Sequence, residues 1–421
     1  MIAVKEVKNM AVFKAFKAFR PSRECGDKIP ALPYDVMNSD EAREMVKGNP
    51  LSFLHVDKAE IDLSPNIDHY APEVYEKARE NLISLEESGK LIEDGEKCLY
   101  IYRQVMGGRS QTGIVGCASV DDYINNVIKK HEHTLAKKEQ DRINHVDKCD
   151  ANTGPIFLTY RISNKITATV NSWIRSRMPE YDFKQGNVNH TVWVIDDGDV
   201  IKTLEKAFKD VSSLYIADGH HRCASAVRVA EMRRAQHPNY TGNEEFNFFL
   251  AIAYPDSELE IMDYNRVVKD LNGHSFEEYL KLVEKCFTVE KAEKAATPAN
   301  KHEFLMFYHK QWYKLTAREG TFNENDPVGQ LDVSILQNNL LAPILGIDNP
   351  KTSDRIDFIG GIRGLKELEK RALTDMELAF AMHPTTIEDL MSIADAGEIM
   401  PPKSTWFEPK PLSGIFIHHL S

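Results

Sequence analysis

Asp218-Gly219-His220-His221-Arg222 puts a carboxylate, a glycine, two imidazoles and a guanidinium into five consecutive positions. The apolar run 214–217 precedes them and the small-residue stretch 223–230 follows, a composition that reads as a buried strand leading into a helix. At such a junction the first helical N–H groups lack partners and the dipole presents partial positive charge, so an anion is welcome there. Gly219 lets the backbone come close or take a positive φ, and Arg222 adds a planar fork of donors suited to phosphate. His220 and His221 can donate, act as bases or bind a metal, and Asp218 can hold a metal ion or accept a hydroxyl proton. Taken singly, Asp218 is an N-cap, Gly219 a turn residue and Arg222 an ion-pair former; the five together argue for a functional turn.

Other residues join this list. On a helical wheel His131, Thr134, Lys138, Arg142 and His145 share one face of a segment with few apolar positions. Such a helix is either solvated or lines a polar ligand site. His131 and His133 point in different directions on a helix, unlike the i, i+4 pairs of zinc helices, and no metal site is assigned. Pro33 stiffens the turn before Asp35, which either aims its carboxylate into a cleft or closes an Asx turn. His55, in a run read as a strand, is expected to be a hydrogen-bonded core histidine. Near the C-terminus Lys403 and Ser404 follow the stiff Pro401-Pro402 and suit phosphate, whereas Glu408 and Lys410 read as solvated charges. The glycines of "DFIGGIRG" do not form G-x-G-x-x-G, and neither a P-loop nor a G-x-S-x-G elbow is present.

The elements that must position these groups alternate. Strands are expected at 51–56, 98–105, 156–160 and 191–195, and helices at 40–47, 74–88, 120–146, 199–208 and 224–234. The pattern predicts a mixed α+β fold. A change of character divides an N-terminal region, 1–255, from a C-terminal α/β region, 256–421, whose tail at 400–420 is expected to fold back onto the core. Length 421, 42% hydrophobic and 28% charged residues describe a globular chain. A net charge of -12 argues against nucleic acid as a partner. Six scattered cysteines fit a reducing cytoplasm, the lysine-studded first twenty residues fail as a signal peptide, and no apolar run is long enough for a membrane.

"DGHHRCASA", preceded by "VIDDGDVIKTLEKAF", resembles the Asp-Gly-His-His-Arg box of the free serine kinases and, more loosely, the Gly-Cys-His-Arg box of sulfiredoxins. Both belong to the ParB/sulfiredoxin superfamily, in which the box opens a helix and holds nucleotide phosphates. From end to end, "FRPS", "LPYDVM", "NPLSFLHVDKAEIDL", "KHEHTLAKKEQDR", "TGPIFLTY", "DRIDFIGG" and "MPPKSTWFEPKPLSG" resemble the signature blocks of an uncharacterised prokaryotic family, domain-of-unknown-function family ten-fifteen. Cys223 departs from that pattern, which has an aromatic residue after the arginine.

The resemblance implies a ParB/sulfiredoxin-like core elaborated with extra helices and a C-terminal α/β region. It also implies ATP or ADP with Mg2+ as cofactor and phosphoryl transfer to a small polar metabolite such as an amino acid. Gly219 and His220 would cradle phosphates, Arg222, Lys138 and Arg142 would neutralise developing charge, and Asp218 would orient a hydroxyl or magnesium. It favours the ligand-facing reading of the 131–145 helix. Two alternatives stay open: a metal-dependent hydrolase built on Asp218, His220 and His221, and a non-catalytic nucleotide-binding regulator.

Overall fold

The computed structural model describes residues 10–421, so the first nine residues of the stretch weighed as a signal peptide lie outside the described residues. The chain forms two units, one running to Leu259 and resuming at Pro409–Ser421, the other Glu260–Glu408. Among the described residues no helix is long and apolar enough to cross a membrane.

The first unit is built on a nine-stranded mixed sheet: β1 (Phe13–Lys14), β2 (Leu99–Met106), β3 (Arg109–Ser119), β4 (Ile128–Lys129), β5 (Ile156–Tyr160), β6 (Tyr181–Gln185), β7 (Val188–Ile195), β8 (Leu214–Asp218) and β9 (Phe248–Pro255). The order is β4-β8-β5-β9-β3-β2-β7-β6, with β1 on β3; β4–β8 and β5–β9 are parallel and the other pairs antiparallel. Five helices matter for the site: α1 (Pro72–Glu87), α2 (Ala136–Cys149), α3 (Asn164–Ser176), α4 (Gly198–Lys209) and α5 (His220–Gln236). Leu158, Ile216 and Phe249 of the sheet bury against Trp173 of α3, Phe208 of α4 and Val227 of α5. A second cluster joins Val74, Ala78 and Leu82 of α1 to Phe53, Leu54 and Cys149. Ile143 and Val146 of α2 pack on Val229 of α5, so α2 is gripped on two sides and its remaining face is fixed in direction.

The returning segment Pro409–Ser421 is threaded into this unit. His418–His419 pairs antiparallel with Ala151–Asn152, and single bridges tie Ile417 to Phe19 and Ser413 to Ala31.

The second unit carries a six-stranded antiparallel sheet: β10 (Tyr264–Val268), β11 (Phe287–Ala292), β12 (Glu303–Tyr308), β13 (Gln311–Ala317), β14 (Ile356–Gly360) and β15 (Leu378–Met382), in the order β11-β13-β12-β15-β10-β14. Strict alternation splits its residues between two cores: Val268, Phe304, Met306 and Phe380 on one face, Val267, Leu305, Phe307 and Ala379 on the other.

The mixed α+β class expected from the sequence is the one observed. Two elements differ from expectation. The run 51–56 is not a strand; it holds a single helical turn, Leu54–Asp57, because Phe53 and Leu54 bury into the α1 cluster. A short apolar run carries no periodicity that separates the two states. His55 sits on that turn, with Nδ1 2.7 Å from Asp62 Oδ1, and is part-exposed rather than a core residue. The segment 120–146 is not one helix. It breaks after Ile124, Asn126 takes φ 59, Ile128–Lys129 pairs with Leu214 and Tyr215, and helix resumes only at Ala136. The wheel that put His131 and Thr134 on the face of Lys138 and Arg142 is therefore not formed.

Candidate functional site

β8 ends in an irregularity. Ile216 opposes Leu158 and Asp218 opposes Phe157, so Ala217 is the extra residue of a bulge that re-aims the strand end. Gly219 then turns the chain with φ 91, a left-handed conformation, and α5 begins at His220 with no side-chain cap and no acidic residue in its first turn. The N-cap position thus gives the leading N–H groups of this seventeen-residue helix no side-chain acceptor, the kind of helix start that suits an anion. A Cβ on Gly219 would lie 3.1 Å from Arg222 Nε. Gly219→Ala is expected to cost about 1–3 kcal/mol through backbone strain, read as a lower urea midpoint, and to displace Arg222. Gly219→Asn, which tolerates positive φ, should cost less.

Asp218 lies half-buried between two partners: Oδ1 accepts from Gly219 N–H at 2.8 Å, and Oδ2 meets Lys410 Nζ at 2.5 Å. Burial opposes its ionisation, but Lys410 and Arg222 hold the carboxyl far below the usual range. Lys410, read from the sequence as a solvated charge, is 11% exposed in its side chain and belongs to the site. No local pattern marks it, because its partner lies 192 residues away.

The two histidines face the 131–135 segment. His221 Nε2 accepts the Leu135 N–H at 2.9 Å, which fixes that nitrogen as the unprotonated one. His220 is buried edge-on against His131, with ring centroids 4.5 Å apart. Burial, and His131 beside it, push its pKa well below the ordinary value; burial likewise takes His131 to about 4. Both rings are neutral and brace the loop before α2.

Arg222 Nη1 donates to the Pro155 carbonyl at 2.7 Å and faces a cavity of about 30 Å3, room for about two waters. Arg142 of α2, Tyr34, Asp57, His145, Thr153 and Ser413 are among the residues that wall it. Gly154 belongs there because a Cβ would come within 2.7 Å of Ser413 Oγ. Arg142 is 8% exposed, is paired with Asp141 Oδ2 at 2.8–2.9 Å and stands 4.0 Å over the Tyr34 ring. Burial disfavours its charge, yet the Tyr34 phenol and Asp141 keep it firmly protonated.

The same Tyr34, Asp57, Arg142 and His145 wall a second cavity of about 180 Å3, which also takes in Asp35 and Lys138. Asp57 accepts from Thr153 Oγ1 at 2.8 Å, Glu60 binds Lys58 and Ser39, and Asp141 binds Arg142 and Tyr75. Asp35 is the remaining carboxylate on this chamber. His145 Nε2 donates to the Val56 carbonyl at 3.1 Å.

The structure therefore brings Arg222 and Arg142 to one cavity and Arg142, Lys138 and Asp35 to the adjoining one. His220 and His221 line neither cavity. Lys403 and Ser404 belong to the second unit, where Ser404 Oγ donates to the Pro401 carbonyl and Lys403 takes φ 61. Tyr34, Asp57, Thr153 and Ser413 are not singled out by the sequence, and Lys410 reads there as a solvated charge. No group of three or more His, Cys, Asp or Glu side chains converges among the described residues in a way that could hold a metal.

Solved structures similar to the chain include the following three. A free serine kinase in complex with AMP aligns with a TM-score of 0.36 and 12% identity over 72% of this chain and 91% of that one. SbnI with C-terminal truncation from Staphylococcus aureus gives 0.36 and 11%, over 70% and 82%. A conserved hypothetical protein from Pyrococcus furiosus gives 0.33 and 14%, over 70% and 90%. No curated protein matches the sequence. The profile of the family described as "Protein of unknown function (DUF1015)" matches residues 13–334, most of the chain, and the chain is a member of that family.

Proposed function

We propose that the 218–222 turn receives the phosphates of ATP or ADP and that the chain transfers a phosphoryl group to a small polar metabolite. The observation that carries this reading is the meeting of two fixed guanidinium groups, Arg222 and Arg142, on one cavity wall beside an uncapped helix N-terminus. Those charges are in place before any ligand arrives, which is what stabilising a phosphoryl transition state demands. The 180 Å3 chamber is small for a nucleotide and suits an acceptor of amino-acid size. In this mechanism Asp35 takes the acceptor hydroxyl proton as its oxygen bonds to phosphorus, and the bond from phosphorus to the leaving nucleotide oxygen breaks. Arg142, Arg222 and Lys138 hold the transferring oxygens. His220 and His221 position the loop before α2 rather than react.

Magnesium supplies charge neutralisation in such reactions, but Asp218, the carboxylate expected to orient it, is occupied by Lys410 and Gly219 N–H. Asp218 does not fit as a magnesium ligand in this arrangement and instead holds the Lys410 ammonium. The same occupancy, with His221 Nε2 engaged by Leu135, weighs against a metal-dependent hydrolase on Asp218, His220 and His221.

Thermal-shift titration with ATP, ADP and CTP, with and without magnesium, tests the reading. Ligand at 100 times its Kd should stabilise the wild type by about 2.7 kcal/mol. Arg222→Ala and Arg142→Met should each weaken binding by roughly tenfold or more. If neither nucleotide nor inorganic phosphate raises the Tm, the phosphate site is wrong; binding without phosphoryl product from an amino-acid panel would make the chain a regulator.

A further inference from the structure

Arg266 of β10, in the second unit, is 3% exposed and forms no ion pair among the described residues. Its terminal nitrogens donate to main-chain carbonyls, of Tyr264 and, at 2.9 Å, of Lys403, and the guanidinium carbon stands 5.4 Å from the Phe358 ring centre. Burial lowers its pKa only to about 10, so the group is charged at neutral pH. A buried cation answered only by carbonyl dipoles and one ring is costly, and proteins otherwise pair such groups.

Arg266 lines a cavity of about 280 Å3. Its walls are apolar, with Val333, Leu341, Ile356, Phe358, Pro401 and Pro402, and Gln337, Asn349 and Lys351 stand among them. Asp348 also borders it but is solvent-exposed and makes no ion pair with Arg266. A second observation is independent of charge. The helix that supplies Gln337 and Leu341 starts as an α-helix at Asp332–Leu336 and widens to a π-helix at Gln337–Leu341. Such widened turns are rare and concentrate at functional sites.

We propose that this cavity is a second small-molecule site, in which Arg266 binds the carboxylate of a small monocarboxylic acid whose apolar body fills the pocket. A guanidinium fork matches a carboxylate edge, and a single buried cation neutralises one negative charge. A phosphate dianion would call for a second buried cation, whereas Lys351, the other cation on the wall, is solvent-exposed, and Val333, Leu341, Ile356 and the two prolines leave most of the lining apolar. The volume, just under the usual range for ligand pockets, limits the acid to about a dozen heavy atoms.

The test is calorimetric titration of the full chain with isovalerate, benzoate and phenylacetate, with the corresponding amides and inorganic phosphate as controls. At least one acid should bind the wild type roughly tenfold or more tightly than its amide, since only the acid pairs with the guanidinium. Arg266→Gln should abolish that preference while Arg266→Lys retains part of it. If the glutamine variant does not fold, the acid-to-amide ratio on the wild type decides alone. Equal binding of acid and amide, no binding of any acid at millimolar concentration, or phosphate binding that Arg266→Gln removes would each overturn the proposal. None of these outcomes depends on nucleotide binding at the 218–222 turn.

Discussion

Lys410→Met is expected to lower the unfolding free energy of the first unit by about 2 kcal/mol, because it strips the ammonium from a carboxylate that cannot retreat into water. Asp218 is 27% exposed in its side chain and Lys410 11%. Breaking a fully buried pair costs about 3–5 kcal/mol, and the partial exposure of Asp218 brings the figure down. Removing both charges together, in Lys410→Met with Asp218→Asn, should recover most of the loss, since the penalty belongs to the stranded charge. A double-mutant cycle in urea therefore reads a coupling of about 1 kcal/mol or more. The effect also has a pH signature. A carboxyl whose folded pKa is depressed contributes stability that is complete above its unfolded value, near pH 4, and that vanishes as pH falls through the folded value. The variant and the wild type should thus differ fully at pH 7 and converge only in strong acid. Equal urea midpoints at pH 7 would show that Lys410 does not hold Asp218.

The second large effect is loss of stability on mild acidification. Burial holds His131 and His190 near pKa 4, and pushes His220, His145 and His418 down as well. Unfolded, each titrates near 6.5. Between those values the unfolded chain binds more protons than the folded one, so stability is complete above about pH 6.5 and drains away as pH falls towards 4. A shift of that size is worth about 3 kcal/mol for each of the two histidines. Asp122, pushed up to about 6 by burial, and His55, raised by its hydrogen bond to Asp62, work in the opposite sense, two groups against five. Urea midpoints of the first unit at pH 7, 5.5 and 4.5 should fall steeply. His131→Asn should flatten the slope by about one proton, about 1.4 kcal/mol per pH unit. A midpoint independent of pH over this range would mean that these rings are not held neutral.

The polar turn at 218–222 was legible because five chemistry-bearing residues stand in a row between an apolar run and a small-residue helix. Lys138 and Arg142 were legible as one helical face, and Asp35 through the proline before it. His131 was misplaced for a definite reason: Ile128 and Lys129 become a strand only by pairing with Leu214 and Tyr215, some eighty residues on, and nothing local announces that pairing. Lys410 was passed over because a lysine among prolines is ordinary until Asp218 is set against it. Thr153 and Ser413 were hidden likewise, each a small polar residue whose role comes from a neighbour distant in sequence. Local chemistry could be read from the sequence, whereas partners supplied by long-range pairing could not.

The return of Pro409–Ser421 to the first unit sets the order in which the protein can be completed. Ribosomes add about 5–20 residues per second, so the 192 residues between Asp218 and Lys410 take roughly 10–40 s to make. Throughout that interval the strand, the turn and α5 can exist while the carboxylate still lacks its ammonium. A chain halted anywhere within the second unit would carry the whole 218–222 sequence and yet lack Lys410 and Ser413. Pro409–Ser421, translated only after the whole of the second unit, thus acts as a latch, and a nascent chain cannot close the cavity beside Arg222 ahead of time.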